Sequence, residues 1–323
     1  MQNLLDDWTF VSVDLEITNQ CQNCCALCPR EAITRPVGAM EAERFRRIAE
    51  ILGKCASLVS LSGMGDPWLH PQVFSFCSEL RGRGTDVSIA LNPASLGGAE
   101  PLAELVASQP NSIVVSFPSS RKEVFERICP KISYERALES TRSLIRLAKG
   151  KAGLAVSGIR TRINPDEEPE FVRFWRSEGV RAEMRVCHGR GGNLARTELY
   201  IPGERGLAPE RCGLFSFHSF VAWQGDVLAC CHDLTGETRL GNLLEEGREE
   251  IARRKAEILR AGMPFDLCTR CDEPLRTCSV PAGPPPADRR ARRRFFRKLK
   301  NGSGLEPLEK PQNTPRILSP RVR

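Results

Sequence analysis

The sequence predicts an α/β protein whose mostly parallel sheet forms a partial (β/α)6 barrel, followed by a small C-terminal domain and a basic tail. Three observations support this fold class. Short apolar runs alternate with helical segments six times between residues 11 and 186, the pattern of parallel strands joined by right-handed helical crossovers. Six such units are too few to close a standard eight-stranded barrel. The following segment is rich in cysteine, and residues beyond 281 are rich in proline and arginine.

The six strand candidates are short apolar runs: Val11–Ile17, Leu58–Ser62, Asp86–Leu91, Ser112–Phe117, Gly153–Ile159 and Val180–Val186. The helical candidates lie between these strands: Glu41–Leu52, Pro71–Arg81, Glu100–Ala107, Arg121–Ile128, Tyr134–Lys149 and Glu168–Ser177. Ligands of parallel α/β folds bind at the carboxyl ends of the strands. The residues that follow each strand are therefore the first candidates for a binding site.

The composition is that of an ordinary soluble globular protein, with 41% apolar and 27% charged residues among 323. No run of 18 or more apolar residues is present, and the first residues lack the basic and apolar segments of a secretory signal. We therefore expect neither a membrane span nor export. Fourteen cysteines in a chain without such a signal favour a cytoplasmic location, where clustered cysteines indicate metal binding more than disulfides.

The net charge is unevenly distributed along the chain. Residues 282–323 hold twelve Lys and Arg against three Asp and Glu, a net charge of +9, whereas the whole chain carries +7. The preceding residues therefore carry about −2, and the basic character belongs to the tail. The tail composition predicts a disordered extension, with a short helix on an anionic partner as the alternative. Nucleic-acid binding by the folded body is not expected.

Cys21, Cys25 and Cys28 carry the most specific signal, because their C-x3-C-x2-C spacing places three thiols on one loop directly after the first strand. Thiolates are soft ligands that select iron–sulfur clusters, zinc or copper(I). Three of them can bind three irons of a cubane and leave the fourth iron with an open position, as a reactive metal centre requires. Cys24 offers a second register, C-x2-C-x3-C. A zinc knuckle or a chance cluster of structural cysteines is the alternative.

This spacing and its position resemble the motif of the radical SAM superfamily, with Leu27 where the family usually has an aromatic residue. The resemblance implies that residues 10–200 fold as the radical SAM type of partial (β/α)6 barrel. It also implies that Cys21, Cys25 and Cys28 bind a [4Fe–4S] cluster whose open iron binds S-adenosyl-L-methionine through its amino and carboxylate groups. Reduction of that cluster would release a 5′-deoxyadenosyl radical, which abstracts hydrogen from a substrate.

The end of the second strand resembles the family element G-G-E-P, which holds the amino group of S-adenosyl-L-methionine. The sequence here is SGMGDP at residues 62–67, with Asp in place of Glu. We assign Gly63, Gly65 and Asp66 to cofactor binding on this resemblance, since glycines allow a close approach of the backbone to a ligand. A simple Gly-Asp-Pro turn is the alternative.

Polar residues also end the later strands. By analogy with the family, Asn92 after the third strand and Ser116 at the end of the fourth would contact the ribose or the methionine carboxylate. Arg160 and Arg162 follow the fifth strand, and His188 lies in a glycine-rich turn after the sixth. We predict that His188 contacts the substrate, although a polar residue at a strand end is more often an ordinary loop residue.

A second group of cysteines follows the barrel. It consists of a single cysteine (Cys212), a G-x4-C segment that ends at Cys230, an L-G-N-L turn, and the C-x2-C pair of Cys268 and Cys271. This order resembles the SPASM region of radical SAM enzymes, or its shortened form, twitch. The resemblance implies that residues 205–281 form an auxiliary domain in which the four thiolates bind a second [4Fe–4S] cluster. Only Cys278 follows the pair, so one auxiliary cluster is favoured, and a four-cysteine zinc site is the alternative.

Two further expectations concern this part of the chain. Val221–Trp223 and Asp226–Leu228 flank Gln224 and Gly225, which predicts a hairpin with a two-residue turn. The remaining cysteines receive no role: Cys24, Cys231 and Cys278 stay unassigned, and Cys55, Cys77 and Cys129 are interpreted as small buried hydrophobes.

The resemblance implies an oxidoreductase or maturase that receives its electron from flavodoxin or ferredoxin. The SPASM region favours a peptide or protein substrate. Its single-cluster form keeps a small-molecule dehydrogenase or epimerase acting on a sugar or an aminocyclitol as the alternative. A metal-cluster scaffold with a nucleic-acid-binding tail is the non-enzymatic alternative, and the predicted cofactor pocket speaks against it.

Overall fold

Nine strands form one continuous sheet in the computed structural model, which describes residues 8–201, residues 212–277 and residue 291. The strands are β1 (Ser12–Leu15), β2 (Leu58–Leu61), β3 (Asp86–Leu91), β4 (Ser112–Ser116), β5 (Gly153–Arg160), β6 (Arg181–Val186), β7 (His218–Val221), β8 (Asp226–Leu228) and β9 (Arg239–Asn242). Their order across the sheet is β6-β5-β4-β3-β2-β1-β7-β8-β9. The sheet is open, as the partial-barrel prediction requires.

Helices connect the six strands of the barrel and follow them in the C-terminal part. They are α1 (Ala42–Cys55), α2 (Val73–Gly82), α3 (Ala99–Ala107), α4 (Lys122–Ile128), α5 (Tyr134–Ala148), α6 (Glu168–Ser177), α7 (Gly213–Phe217), α8 (Gly247–Ala261) and α9 (Asp266–Thr269). All six predicted strands and all six predicted helices are present, with ends displaced by at most three residues. Within the described residues, no helix is both long and apolar enough to cross a bilayer.

The carboxyl ends of the first three strands lie side by side. Leu15 pairs with Leu61, and Leu61 pairs with Ile89, in parallel register. All three side chains are fully buried. Because the strands are parallel and in register, the loops that leave them emerge at one edge of the sheet. The cysteine loop and the predicted cofactor residues share this edge.

The C-terminal part extends the same sheet. Strand β7 pairs with β1 in parallel, with Leu15 opposite Val221, and β8 and β9 add antiparallel strands beyond it. The predicted hairpin between β7 and β8 is present, but the prediction of a two-residue turn is wrong. Ala222 N–H donates to Asp226 O, and Gly225 N–H donates to Ala222 O, both at 2.8 Å. Three residues therefore form the loop, and its last one, Gly225, adopts a φ of 95° that glycine tolerates best.

Two apolar clusters fill the space between sheet and helices. In the first, Phe45 of α1 stacks on Phe76 of α2 with ring centroids 3.7 Å apart. In the second, Phe117 lies 4.6 Å from Phe125 and 4.9 Å from Trp175. Burial of each such side chain contributes about 1.5–3 kcal/mol. The second cluster lies directly beneath the cysteine loop and gives it a rigid floor.

Candidate metal centres and cofactor site

The loop that carries the first three thiols is closed at its base by polar contacts. Thr18 Oγ1 donates to Gly38 O at 2.8 Å, and Gly38 N–H donates to Asn19 Oδ1 at 2.8 Å. Asn19 Nδ2 also donates to Pro36 O at 2.9 Å. Asn19 is fully buried, so these bonds form without competition from water. They hold the departing and returning chain together.

The tip of the same loop is held against α4. Ala26 N–H donates to Ile128 O at 2.8 Å. Leu27 is 8% exposed and belongs to the apolar cluster of Phe117 and Phe125. Leu27 thus replaces the usual aromatic residue of the family with another apolar anchor. Base and tip together fix the three thiols relative to the barrel.

The structure brings Cys21, Cys25 and Cys28 together. Burial raises the pKa of Cys21 and of Cys28, and neighbouring thiols of the triplet raise both pKa values further. A hydrogen bond from Cys129, with the two Sγ atoms 3.5 Å apart, lowers the pKa of Cys25. Cys24 is exposed. This arrangement supports the C-x3-C-x2-C register.

A buried ion pair underlies the second strand end. Glu16, which is fully buried, accepts hydrogen bonds from Arg35, with Arg35 Nη2 2.8 Å from Glu16 Oε2. Met64 N–H donates to the same oxygen at 2.9 Å. Removing one partner of such a pair leaves an uncompensated buried charge, which costs about 3–5 kcal/mol. This pair was not predictable from the sequence, because its partners are 19 residues apart and neither lies in a recognised motif.

The two glycines of the second strand end face the protein. A Cβ atom on Gly63 would lie 2.6 Å from Glu16 Cγ, and one on Gly65 would lie 2.7 Å from Asn19 Cα. Real Cβ atoms do not approach so closely, so glycine is needed for the turn to pack on the end of β1. This is a different reason for glycine from the predicted close approach to a ligand. Their backbone contacts with S-adenosyl-L-methionine remain a prediction.

Asp66 lies close to the thiols and is 4% exposed. Its side chain accepts a hydrogen bond from Trp68 N–H at 3.1 Å, and the Ser95 hydroxyl donates to its other oxygen. Burial raises the pKa of Asp66, and these two hydrogen bonds partly offset the increase. The Asp66 charge in turn contributes to raising the pKa of Cys21, after burial. Asp66 therefore caps the turn and also borders the candidate cluster site.

The two remaining predicted cofactor residues differ in their surroundings. Asn92 Oδ1 accepts a hydrogen bond from Ala94 N–H at 2.9 Å, and the Asn92 side chain also hydrogen-bonds Cys25, which helps to lower the pKa of that thiol after the larger effect of Cys129. Ser116 is exposed at the end of β4. The structure thus places Asn92 beside the thiols and Ser116 farther along the same sheet edge.

A buried carboxylate at this edge was missed by sequence reasoning. Glu167, which is fully buried, accepts hydrogen bonds from the Ser119 hydroxyl at 2.7 Å, from Ser120 N–H at 2.7 Å and from Asn164 Nδ2 at 2.8 Å. These contacts join the loop after β4 to the loop after β5. The hydrogen-bond donors to Glu167 come from two separate loops, so no local sequence pattern could have indicated these contacts.

The C-terminal thiols form a second group. Burial raises the pKa of Cys268 to about 12 and that of Cys271 to about 11, and the nearby Cys212 thiol raises both pKa values further. Burial also raises the pKa of Cys230, and the neighbouring thiols Cys231, Cys271 and Cys212 raise it further. The four predicted ligands are therefore near enough to influence one another's pKa values. Cys278 lies outside the described residues.

A histidine–carboxylate cluster borders this second group. Glu273 Oε2 lies 3.0 Å from His232 Nε2 and 3.2 Å from His188 Nε2. Burial by itself lowers the pKa of His232, but Cys231 and Glu273 raise that pKa to about 9. Burial opposes ionisation of Glu273, yet the hydrogen bond from His232 and the charges of both imidazoles lower its pKa to about 2. One atom of each side chain lies within 4.8 Å of the others, but the carboxylate already bridges the imidazoles without a metal.

The contacts of His188 are with other protein side chains. It pairs with Glu273 of the C-x2-C loop, and burial lowers its pKa. Substrate contact by His188 stays a prediction. Next to it, Gly189 N–H donates to both oxygens of Asp272, at 2.9 and 2.8 Å. The loop after β6 is thus attached to the second cysteine group.

Arg190, in the loop after β6, lies near Cys28 and the histidine–carboxylate cluster, and it was missed at the sequence level. Burial raises the pKa of Cys28, and the Arg190 charge contributes to offsetting that increase. The same charge helps to lower the pKa of His188, after burial. Arg190 has a φ of 53°, unusual for a residue other than glycine. One half-buried guanidinium therefore acts on the first thiol group and on the histidine–carboxylate cluster that borders the second.

The donor sets fit iron–sulfur clusters. Each group consists of half-buried thiols, and most of them have raised pKa values to which neighbouring thiols contribute, so a bound cation would favour their ionised forms. Thiolates prefer soft or borderline metals, including the iron of such clusters. Three thiols suit a cubane with an open iron, and four suit one that is fully ligated. Zinc would accept the second set equally well.

Comparison with known proteins agrees with this geometry. The family model described as Radical SAM superfamily matches residues 15–161, and the SPASM model, described as an iron–sulfur cluster-binding domain, matches residues 212–272. The chain therefore contains a radical SAM domain and a SPASM domain. The first domain implies a [4Fe–4S] cluster and S-adenosyl-L-methionine, and the second implies auxiliary iron–sulfur binding. The predicted family, fold class and cofactors are confirmed.

Individual relatives are distant. The chain is 25% identical over 176 residues to the tungsten-containing aldehyde ferredoxin oxidoreductase cofactor-modifying protein of Pyrococcus furiosus. The match covers 53% of this chain and 49% of that protein, so the chain spans about half the length of this curated relative.

Solved structures share the fold. Streptococcus suis SuiB bound to precursor peptide SuiA gives a TM-score of 0.62 at 13% identity, with 82% of this chain and 71% of that chain covered. BtrN in complex with AdoMet and 2-DOIA gives 0.54 at 18% identity, with 82% and 94% covered. AnSMEcpe with bound AdoMet also gives 0.54, at 14% identity, with 90% and 98% covered.

Proposed function

We propose that the protein is a radical SAM oxidoreductase or maturase with two metal centres. In this proposal Cys21, Cys25 and Cys28 hold the cluster that binds S-adenosyl-L-methionine. One auxiliary [4Fe–4S] cluster is held by Cys212, Cys230, Cys268 and Cys271. When bound, the first cluster supplies the electron for reductive cleavage of S-adenosyl-L-methionine, and the second supplies an electron acceptor or a substrate anchor. Flavodoxin or ferredoxin is the proposed reductant.

The observation that carries this proposal is the pair of thiol groups inside the two matched domains, and Arg190 contributes a nearby positive charge. Its charge acts on Cys28 of the first group and on His188 and His232 beside the second. Arg190 is therefore within electrostatic reach of the first thiol group and of the histidine–carboxylate cluster beside the second. A guanidinium there is suited to hold an anionic group of the substrate or cofactor.

The chain's other residues would position the cofactor. Gly63, Gly65 and Asp66 are proposed to hold the cofactor at the end of β2, where the Asp66 charge acts on Cys21, and Asn92 hydrogen-bonds Cys25. Ser116 is proposed to reach the cofactor from the next strand. The buried carboxylates of Glu16 and Glu167 are hydrogen-bonded to the surrounding loops. The thiols are therefore the proposed metal-binding groups at this edge of the sheet.

We propose a peptide or protein as the substrate. The SPASM match supports this class, and SuiB, the neighbour with a TM-score of 0.62, is bound to a precursor peptide. A small molecule is the second candidate. BtrN, in complex with 2-DOIA, is covered over 94% of its length, so a protein of similar extent binds a small molecule.

Substrate-dependent formation of 5′-deoxyadenosine separates these classes. The anaerobically reconstituted and reduced full chain is incubated with S-adenosyl-L-methionine and either a short peptide encoded beside its gene or 2-DOIA. Stimulation by the peptide, with loss of hydrogen atoms seen by mass spectrometry, supports the proposed class. Stimulation by 2-DOIA alone favours the second candidate. Absence of deoxyadenosine under every condition contradicts the radical SAM function itself.

The variant Arg190→Met tests whether the guanidinium binds the substrate or the cofactor. We expect loss of substrate turnover with retention of both clusters. Arg196→Met is the matched control, because the Arg196 side chain is 62% exposed on the same connection. Equal turnover in both variants would contradict a role for Arg190 in substrate or cofactor binding.

A further inference from the structure

We propose that Cys129 is a positioning residue of the S-adenosyl-L-methionine-cleaving cluster, because its thiol donates a hydrogen bond to the sulfur of Cys25. The inference rests on the proposed function of Cys25 as a cluster ligand. The sequence offered no role for Cys129, which lies 104 residues away from Cys25.

The contact is defined by two elements that meet at one point. Cys129 follows the last residue of α4, and its Sγ lies 3.5 Å from Cys25 Sγ. Directly beside it, Ala26 N–H donates to Ile128 O at 2.8 Å. Two adjacent residues at the end of α4 therefore bind two adjacent residues of the cysteine loop. These two contacts fix the position of Cys25 relative to the end of α4.

Two cysteines outside the proposed ligand sets, the buried Cys77 and the half-buried Cys55, differ from Cys129 in this respect. Cys77 is fully buried and donates to Ser108 O at 3.5 Å, and Cys55 donates to Ile51 O at 3.3 Å. Both thiols thus use a backbone carbonyl as acceptor, as an ordinary structural cysteine does. Cys129 is 3% exposed and uses the sulfur of a proposed metal ligand instead.

A hydrogen bond to a ligand sulfur has a direct electronic consequence. Reduction adds one negative charge to a cluster, and a donor at its sulfur stabilises the more negative state. Hydrogen bonds to sulfur are among the factors that set the reduction potential of iron–sulfur clusters, and partners behind the ligands tune metal centres in general. Cys129 should therefore raise the reduction potential of the first cluster and ease its one-electron reduction.

The test is the midpoint potential of the first cluster in the reconstituted full chain. Its paramagnetic signal is identified as the one that changes when S-adenosyl-L-methionine is added. In Cys129→Ala the midpoint should shift to a more negative value. In Cys129→Ser, which keeps a donor, it should stay closer to that of the unaltered protein. Cys77→Ala is the control for loss of a buried thiol and should leave the midpoint unchanged.

Cluster-free protein provides a second measurement that does not depend on metal binding. An azodicarboxamide oxidant takes up two electrons and two protons from a pair of thiols, which then form one disulfide. Peptide mapping should show Cys25 joined to Cys129. If Cys25 pairs only with its neighbours on the loop, the contact is wrong.

These measurements distinguish the two levels of inference. An unchanged midpoint in Cys129→Ala, with the cluster present, overturns the role of Cys129 even when the proposed function holds. A signal in the unaltered protein that does not respond to S-adenosyl-L-methionine overturns the proposed function of the thiols. If Cys129→Ala binds no cluster, the midpoint of Cys129→Ser and the disulfide map decide, and both must agree with the expected results.

Discussion

The carboxylate of Asp272 accepts the backbone N–H of Gly189 through both of its oxygens, at 2.9 and 2.8 Å. The two residues are 83 positions apart, and Asp272 is 4% exposed. Asp272 directly follows Cys271, and Gly189 directly precedes Arg190. This contact therefore joins the second thiol group to the loop that reaches toward the first.

Asp272→Ala should loosen this connection. Loss of the acceptor leaves the buried Gly189 N–H without its partner, which costs about 1–3 kcal/mol. We expect a lower unfolding midpoint in urea and faster amide hydrogen exchange in residues 187–194. Asp266→Ala is the control, because Asp266 is exposed on the same segment and such changes usually alter stability by about 0.5 kcal/mol or less. Equal exchange rates in the two variants would show that Asp272 does not hold the loop.

Gly65→Ala should disturb the cofactor edge of the sheet. The added Cβ would lie 2.7 Å from Asn19 Cα, so the turn or the base of the cysteine loop must move. We expect a marked loss of deoxyadenosine formation and a lower iron content. Gly82→Ala is the control, because a Cβ there has no neighbour within 4 Å and Gly82 ends a helix. That change should preserve activity, and preserved activity in Gly65→Ala would refute the packing role of this glycine.

Lys255 gives a pH-dependent prediction. This lysine is 1% exposed, donates to His218 O at 2.8 Å and to Ser219 Oγ at 3.0 Å, and lies 4.8 Å from the Phe215 ring centroid. Burial lowers the pKa of Lys255 from 10.5 to about 7, although the nearby Cys212 opposes the shift. Between these two pH values the unfolded chain binds the extra proton. The contribution of Lys255 to stability therefore rises with pH across this window.

Lys255→Met should isolate that contribution in cluster-free protein. The variant should be more stable than the unaltered chain near pH 6, where the lysine is charged in both states. This advantage should shrink by up to about 1.4 kcal/mol per pH unit as the pH rises above about 7. The measurement is the free energy of unfolding of both proteins from pH 6 to pH 10. Lys54→Met, at a side chain that is 74% exposed, should show a small difference at every pH, and a constant difference for Lys255→Met would contradict the shifted pKa.

The local parts of the fold were predictable from the sequence, because they depend on short-range patterns. The six barrel strands and their helices follow from apolar runs, and the cysteine spacing indicated both thiol groups. The pairing of β7 with β1 was not predictable in this way. It joins Val221 to Leu15 across some 200 intervening residues, and only the free edge of β1 in the folded sheet selects it.

Several contacts of the candidate site could not be read from the sequence for the same reason. Glu16 and Arg35 look like ordinary charged residues until their burial shows that they pair. His188 was expected to contact the substrate, whereas its described partner is Glu273, which the C-x2-C loop brings to it. Arg190 belongs to no motif, and its charge is near Cys28 and His188 only because the fold brings the loop after β6 to them.

Loss of the auxiliary site should be separable from loss of the first. Cys268→Ala combined with Cys271→Ala leaves two of the four proposed thiolates, which is too few for a cubane that normally has four protein ligands. The iron content should fall from about eight to about four per chain, as expected for two [4Fe–4S] clusters of which one is lost. Deoxyadenosine should still form, at a reduced rate, while substrate turnover stops. Retention of about eight irons would mean that other cysteines complete this site.

Formation of 5′-deoxyadenosine by the variant with Ala at Cys21, Cys25 and Cys28 is the most direct test of the two-centre assignment. The variant is reconstituted anaerobically, reduced and supplied with S-adenosyl-L-methionine, beside the unaltered chain and a Cys24→Ala control. Cys24 is exposed, so its loss should leave cleavage intact. We expect the triple variant to retain about four irons, those of the auxiliary cluster, and to form no deoxyadenosine. Deoxyadenosine from the triple variant would show that these thiols do not hold the cluster that cleaves S-adenosyl-L-methionine.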